Sequence, residues 1–113
     1  MLASAIVTRA RIMLADNVVP YSWADAYLLW NVNDAVDATI ERRPDLVMDD
    51  NEVQRTLTDV GNLTHAIDLP DGVTSALAHY VAYRALAEDE SDKLNADAAE
   101  RHYEAFLREI YGS

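Results

Sequence analysis

Ala96, Ala99, Tyr103, Phe106 and Ile110 step by three and four residues without a miss. Only an α-helix brings all five onto one face, so a helix is predicted over residues 93–111, with Gly112 closing it. An amphipathic helix must bury its stripe, and the rest of the 113-residue chain offers three further helices as partners. A first helix is expected over residues 4–15, with Leu2, Ile6, Ala10 and Met13 on one face and Asp16 and Asn17 at its end. A second opens at Tyr21, with Ser22 as N-cap and Asp25 completing an acidic variant of the capping box. Its buried stripe is Leu29, Val32, Val36 and Ile40, with Trp30 and Asn33 beside it. Pro44 stops it by Arg43, and Arg42 and Arg43 suit the negative helix end. A third helix follows Pro70, with Asp71 or Gly72 near its cap, and runs to Ala87. Its core face is Val73, Leu77, Tyr80 and Arg84, with Val81 and Ala85 adjoining.

Between the second and third helices the pattern changes. Residues 52–57 alternate apolar and polar, residues 64–69 alternate again, and Gly61 and Asn62 lie between them. Alternation with a glycine turn predicts a short β-hairpin or an extended arm over residues 47–69. A two-stranded ribbon is marginal alone in water, so it needs the helices or a neighbouring subunit. The fold expected is therefore mainly α: one small domain, residues 1–113, of about four helices, with an extended loop or short β-hairpin between the second and third. No internal repeat or low-complexity segment interrupts it.

Composition narrows the function. Half the residues are hydrophobic and only three are glycine and three proline, which fits long regular elements around one core. The absence of cysteine removes disulfides and thiolate metal sites and suits a reducing cytosol. No apolar run approaches the roughly 20 residues of a membrane span, and residues 1–7 lack the basic start and apolar run of a signal peptide. Twenty acidic residues against nine Lys and Arg give a net charge of −11. Phosphate binding draws on clustered cations. Here they are dispersed at Arg9, Arg11, Arg42, Arg43, Arg55, Arg84, Lys93, Arg101 and Arg108, which argues against tight nucleic-acid binding. Acidity alone is most simply a device for solubility.

Reactive chemistry finds no foothold. His65, His79 and His102 show no His-Glu-x-x-His spacing, and His102 reads as a half-exposed helix residue. Ser4, Ser22, Ser75, Ser91 and Ser113 lie outside any Gly-x-Ser-x-Gly setting; Ser22 and Ser91 read as helix starts. Three scattered glycines build no phosphate loop. The acidic turn at residues 88–92 lacks the order of a calcium loop and reads as solvated, as do Asp49 and Asp50. No enzyme activity, cofactor or metal is expected. The aromatics Tyr21, Trp23, Tyr27 and Trp30 gather at the start of the second helix. Either that helix is buried on two sides, or one side packs against another subunit, where Trp and Tyr are favoured anchors.

These residues resemble a known family. The run Tyr21-Ser22-Trp23-Ala24-Asp25-Ala26-Tyr27-Leu28-Leu29-Trp30-Asn31-Val32-Asn33-Asp34-Ala35, followed by Arg43-Pro44-Asp45, looks like the N-terminal half of tailed-phage head–tail adaptor (connector) proteins. Leu69-Pro70-Asp71-Gly72, then Ala76-Leu77, Tyr80-Val81, Tyr83-Arg84-Ala85, and finally Ala98, His102-Tyr103, Phe106 and Leu107, is similar to its second half. The second pattern is the more specific of the two; both are degenerate, and together they span nearly the whole chain.

The resemblance implies a structural virion protein at the head–tail interface, assembled in the host cytoplasm. Such subunits form a ring homo-oligomer, usually dodecameric, beneath the portal protein. The ring extends the DNA channel and docks tail or stopper proteins, and DNA passes through without specific binding or membrane contact. The implied interface arm carries Val53, Arg55, Leu57, His65, Ile67 and Leu69; Tyr21, Trp23, Tyr27 and Trp30 are interface or core aromatics. Portal docking falls to Phe106, Leu107, Ile110 and Tyr111. The family has a long tail after the last helix that is not seen here, so the helix end or the loop is expected to supply that contact. The competing expectation is a small acidic protein-binding or regulatory module, a DNA mimic included.

Overall fold

In the computed structural model, residues 1–16, 18–19, 21–48, 51, 53–88 and 93–112 are described. Among them are four α-helices: α1 (Ala3–Met13), α2 (Asp25–Arg42), α3 (Thr74–Glu88) and α4 (Lys93–Gly112). Two 3-10 turns, Pro44–Val47 and Asp71–Val73, follow α2 and precede α3. The chain is thus a small helical bundle, as its periodicities predict.

The central helix is α3, which touches the other three. Its small residues explain that position. Ala76, Ala78, Ala82 and Ala85 are buried around its circumference together with Leu77, Val81 and Leu86, so neighbouring backbones approach from several sides. The main core lies where α1, α2 and α3 meet and includes Ile6, Leu28, Val32, Val47, Leu77 and Val81. A second cluster joins α4 to α3 through Phe106 and Ile110 against Ala38 and Ala76. Tyr80, Tyr83, Tyr103 and Phe106 extend it as a chain of ring contacts. Arg43 donates to the Ile110 carbonyl at 2.8 Å, satisfying an acceptor in the last turn of α4. Arg42 donates to the Tyr103 hydroxyl at 3.0 Å. The two arginines thus fasten α4 to the end of α2, beyond any favourable effect on their own helix.

Several local expectations are corrected. Ser22 does not cap α2; the N-cap position is Ala24, without a side-chain cap. The Ser22 N–H donates instead to the Asp16 carboxylate at 2.6 Å, and the Trp23 N–H to the same group at 3.1 Å. Asp16 is in turn gripped by Arg11 at 2.8 Å. Burial pushes the Asp16 carboxyl up, but the two backbone N–H groups and Arg11 outweigh it and hold it below the usual range. Arg11, only 4% exposed, also donates to the Trp23 carbonyl and to Asp25, and lies over the Tyr21 ring. This network turns the chain between α1 and α2 and delays the helix start to Asp25. The buried side of α2 is consequently Leu28, Asn31, Val32, Ala35, Val36, Ala38 and Thr39, with Leu29 and Ile40 at its margin. Leu2, expected in the α1 stripe, is 49% exposed because it precedes the helix.

The hairpin does not form among the described residues. Residues 63–67 pair with the start of α1 instead: Ala3 and Ser4 donate to the carbonyls of His65 and Leu63, both at 2.9 Å. These are among the first amides of α1, which have no partner inside their own helix. The loop therefore caps α1, and its apolar residues Val60, Ile67 and Leu69 are buried in the main core. Met48 makes only an isolated bridge with Gln54. Asn17, Asp49, Asp50, Glu52, residues 89–92 and Ser113 lie outside the described residues, and with them the Ser91 helix start and most of the acidic turn.

Replacing Arg11 by Met should leave the Asp16 carboxylate buried without its cation. We expect a loss of about 3–5 kcal/mol in urea-unfolding stability. Adding Asp16→Asn to that variant should cost much less than Asp16→Asn alone in the native background.

Candidate subunit interface

A concavity of about 930 Å³ runs between the outer side of α2 and the loop of residues 54–68. Its α2 wall consists of Asn33, Val36, Asp37, Ile40 and Glu41. Asn33 pins the opposite wall in place: its Oδ1 accepts from the Val60 N–H at 2.7 Å and its Nδ2 donates to the Val60 carbonyl at 3.0 Å. Arg55 secures the other end. Its backbone N–H donates to the Val47 carbonyl at 2.7 Å, and its guanidinium reaches the Val47 and Leu46 carbonyls and pairs with Asp68. Between these anchors, residues 56–59 adopt neither helix nor strand. No backbone hydrogen bond ties them to other described residues.

The groove is lined by polar and apolar surface in similar measure, and carboxylates stand along its rim. Val36, Ile40, Leu57, Val60 and Ile67 lie beside Asp37, Glu41, Asp59 and Asp68. Burial pushes the Asp37 carboxyl up, and the charges of Asp59 and Asp34 raise it further. Arg55, the basic residue in the lining, is engaged by Asp68 and two carbonyls, so the rim has a surplus of negative charge. Chemically this suits an apolar segment carrying a cation.

The arm residues divide. Arg55, Leu57 and His65 line the groove; Val53 is exposed. Ile67 and Leu69 are buried in the main core; Ile67 shows only its edge to the groove, and Leu69 does not line it. The four aromatics divide too. Trp30 is 70% exposed and Tyr21 lies exposed under Arg11, whereas Trp23 and Tyr27 pack against the core. Trp23 precedes α2 and does not share its helical face with Trp30. The Tyr27 hydroxyl donates to Glu88 at 2.6 Å; burial raises its pKa and the Glu88 carboxylate adds to this. Of the portal-docking residues, Phe106 and Ile110 are fully buried and form the α3–α4 core, which removes them from any docking role. Leu107 packs at the edge of that core, and Tyr111 is 62% exposed.

The pairing of His79 with His102 was not legible in the sequence. The two residues are 23 positions apart on different helices, and only the α3–α4 register brings their Nδ1 atoms to 2.9 Å. No group of three or more His, Cys, Asp or Glu among the described residues is placed to hold a metal ion. No helix among them is long and apolar enough to cross a membrane. Neither a protein-family model, nor a curated protein, nor a solved structure matches this chain.

Truncating Phe106 to Ala should cost about 3–5 kcal/mol of folding stability, as expected for a buried aromatic. Tyr111→Ala should stay within about 0.5 kcal/mol. Thermal or urea unfolding of the two variants separates core from surface.

Proposed function

We propose that this chain is a structural subunit of a tailed-phage virion, a head–tail adaptor that assembles as a ring beneath the portal, extends the DNA channel and docks tail components. The reading starts from the resemblance of residues 21–45 and 69–107 to that family. The physical observation that supports it most is the groove: an open concavity beside a packed core, lined by carboxylates and apolar side chains, with a run of backbone at residues 56–59 that bonds to no other described residue. Both are features that a second protein chain would complete.

A ring closes by heterologous contacts, in which one surface of each subunit meets a different surface of the next. The acid-rimmed groove is one such surface. The exposed arginines Arg101 and Arg108 on α4, seven residues apart along one side of that helix, offer a cation-bearing counterpart. Self-repulsion between chains of net charge −11 must be overcome at each contact, so the few exposed cations are the natural place for it. A ring of about a dozen copies would carry on the order of −130 charges, and an acidic lumen would let DNA slide past without adhering.

Light scattering across a concentration series, with negative-stain imaging, tests assembly with and without a portal protein. Rings are expected. Asp37→Lys combined with Asp59→Lys should reduce assembly at least tenfold in concentration while leaving the helical circular dichroism intact. A chain that stays monomeric in both settings, or that is absent from purified virions, would sink the reading. The groove would also suit a basic segment of an unrelated partner; a monomer that binds such a partner with steep salt dependence would favour a regulatory module instead.

A further inference from the structure

α4 is attached mainly to α3, and where the two helices meet, two imidazoles face each other. The Nδ1 atoms of His79 and His102 are 2.9 Å apart, and the ring centroids are 5.2 Å apart. The second distance is the first plus about one ring radius at each end, so both nitrogens lie nearly on the line between the rings. That is hydrogen-bond geometry. Two nitrogens chelating one metal would instead point together to a spot off that line. One Nδ1 must therefore carry a proton and the other must offer its lone pair.

The surroundings decide how many protons the pair can hold. The Nε2 of His79 faces the Glu109 carboxylate at 3.9 Å, and Ser75 donates to the same carboxylate oxygen at 3.2 Å. A first added proton can sit on His79 Nε2, next to this carboxylate, and leave the Nδ1–H···Nδ1 bond intact. A second proton has to go to the accepting Nδ1 of His102. Two N–H groups would then confront each other across 2.9 Å, each on a cation, with Arg101 and Arg108 of α4 adding positive charge nearby. The bond becomes a repulsion.

We propose that the His79–His102 pair is an acid-sensitive latch between α3 and α4, closed while it holds one bridging proton and released when both rings are charged. Release would uncover the apolar side of α4, including Phe106 and Ile110, which is buried in the closed state. The latch rests on this geometry alone and does not depend on the ring.

The direction of the pH effect follows from burial. Burial lowers the pKa of His79, with Glu109 partly offsetting and Arg108 reinforcing it; burial lowers that of His102 too, reinforced by His79 and Arg101. Both lie below the ordinary value near 6.5 that they would regain once α4 is released. Docking is therefore fully supported above about pH 6.5 and weakens as the pH falls through the lower values.

Hydrogen exchange of the full chain between pH 7 and 5, corrected for intrinsic rates, reads the latch directly. Protection of α4 amides should fall at least about tenfold more than that of α1 amides. His102→Gln, which can still hydrogen-bond but does not titrate, should abolish the difference. Unchanged α4 protection in the native protein, or an equal loss in His102→Gln, would overturn the proposal. Proton NMR titration of the native histidines guards against a variant that fails to fold. Two separated, coupled steps, both below the ordinary histidine value, are expected; independent single steps near 6.5 would refute the latch.

Discussion

The buried ion pair of Arg11 with Asp16 sets the corner on which the bundle depends. Arg11 binds Asp16, the Trp23 carbonyl and Asp25 at once, while Asp16 collects the amides of Ser22 and Trp23. Two charges this deep are expensive to desolvate and are tolerated only because their remaining donors and acceptors are filled. In return the network fixes where α1 ends, where α2 begins and how the two cross. The α2 side chains that meet α3 follow from that crossing.

From this corner the rest is assembled by mutual completion. Residues 63–67 cap the start of α1 and bury Ile67 and Leu69, so a segment without regular structure becomes part of the core. Arg43 caps the end of α4 from the end of α2. Elements distant in sequence thus satisfy one another's backbone groups, where isolated helices would have used local side chains. The backbone of residues 56–59, along the acid-rimmed groove, takes no part in this exchange with other described residues and is left to water.

Much of the candidate site could be read from residues and much could not. Arg55, Leu57 and His65 line the groove where alternation had placed an arm, because short-period patterning marks a segment that presents different sides to different neighbours. Ile67 and Leu69 belong to the same pattern yet are core, because alternation says that one side is apolar and not what it faces. Phe106 and Ile110 illustrate the same ambiguity on a helix: a clean stripe reads equally as docking surface and as intramolecular seam. Trp30 is the opposite case, a large aromatic on a helix with a full core, left 70% exposed.

Residue order alone determined that this chain is a mainly helical bundle with breaks near Asp16, Pro44 and Pro70, because apolar periodicity, proline and glycine act over a few residues and need no partner to be effective. Tertiary structure decided the rest. The α2 start, the fate of the hairpin and the meeting of His79 with His102 all depend on groups far apart in the chain. Their energies arise only when burial removes water and makes the partners that charges, amides and imidazoles find within the fold count.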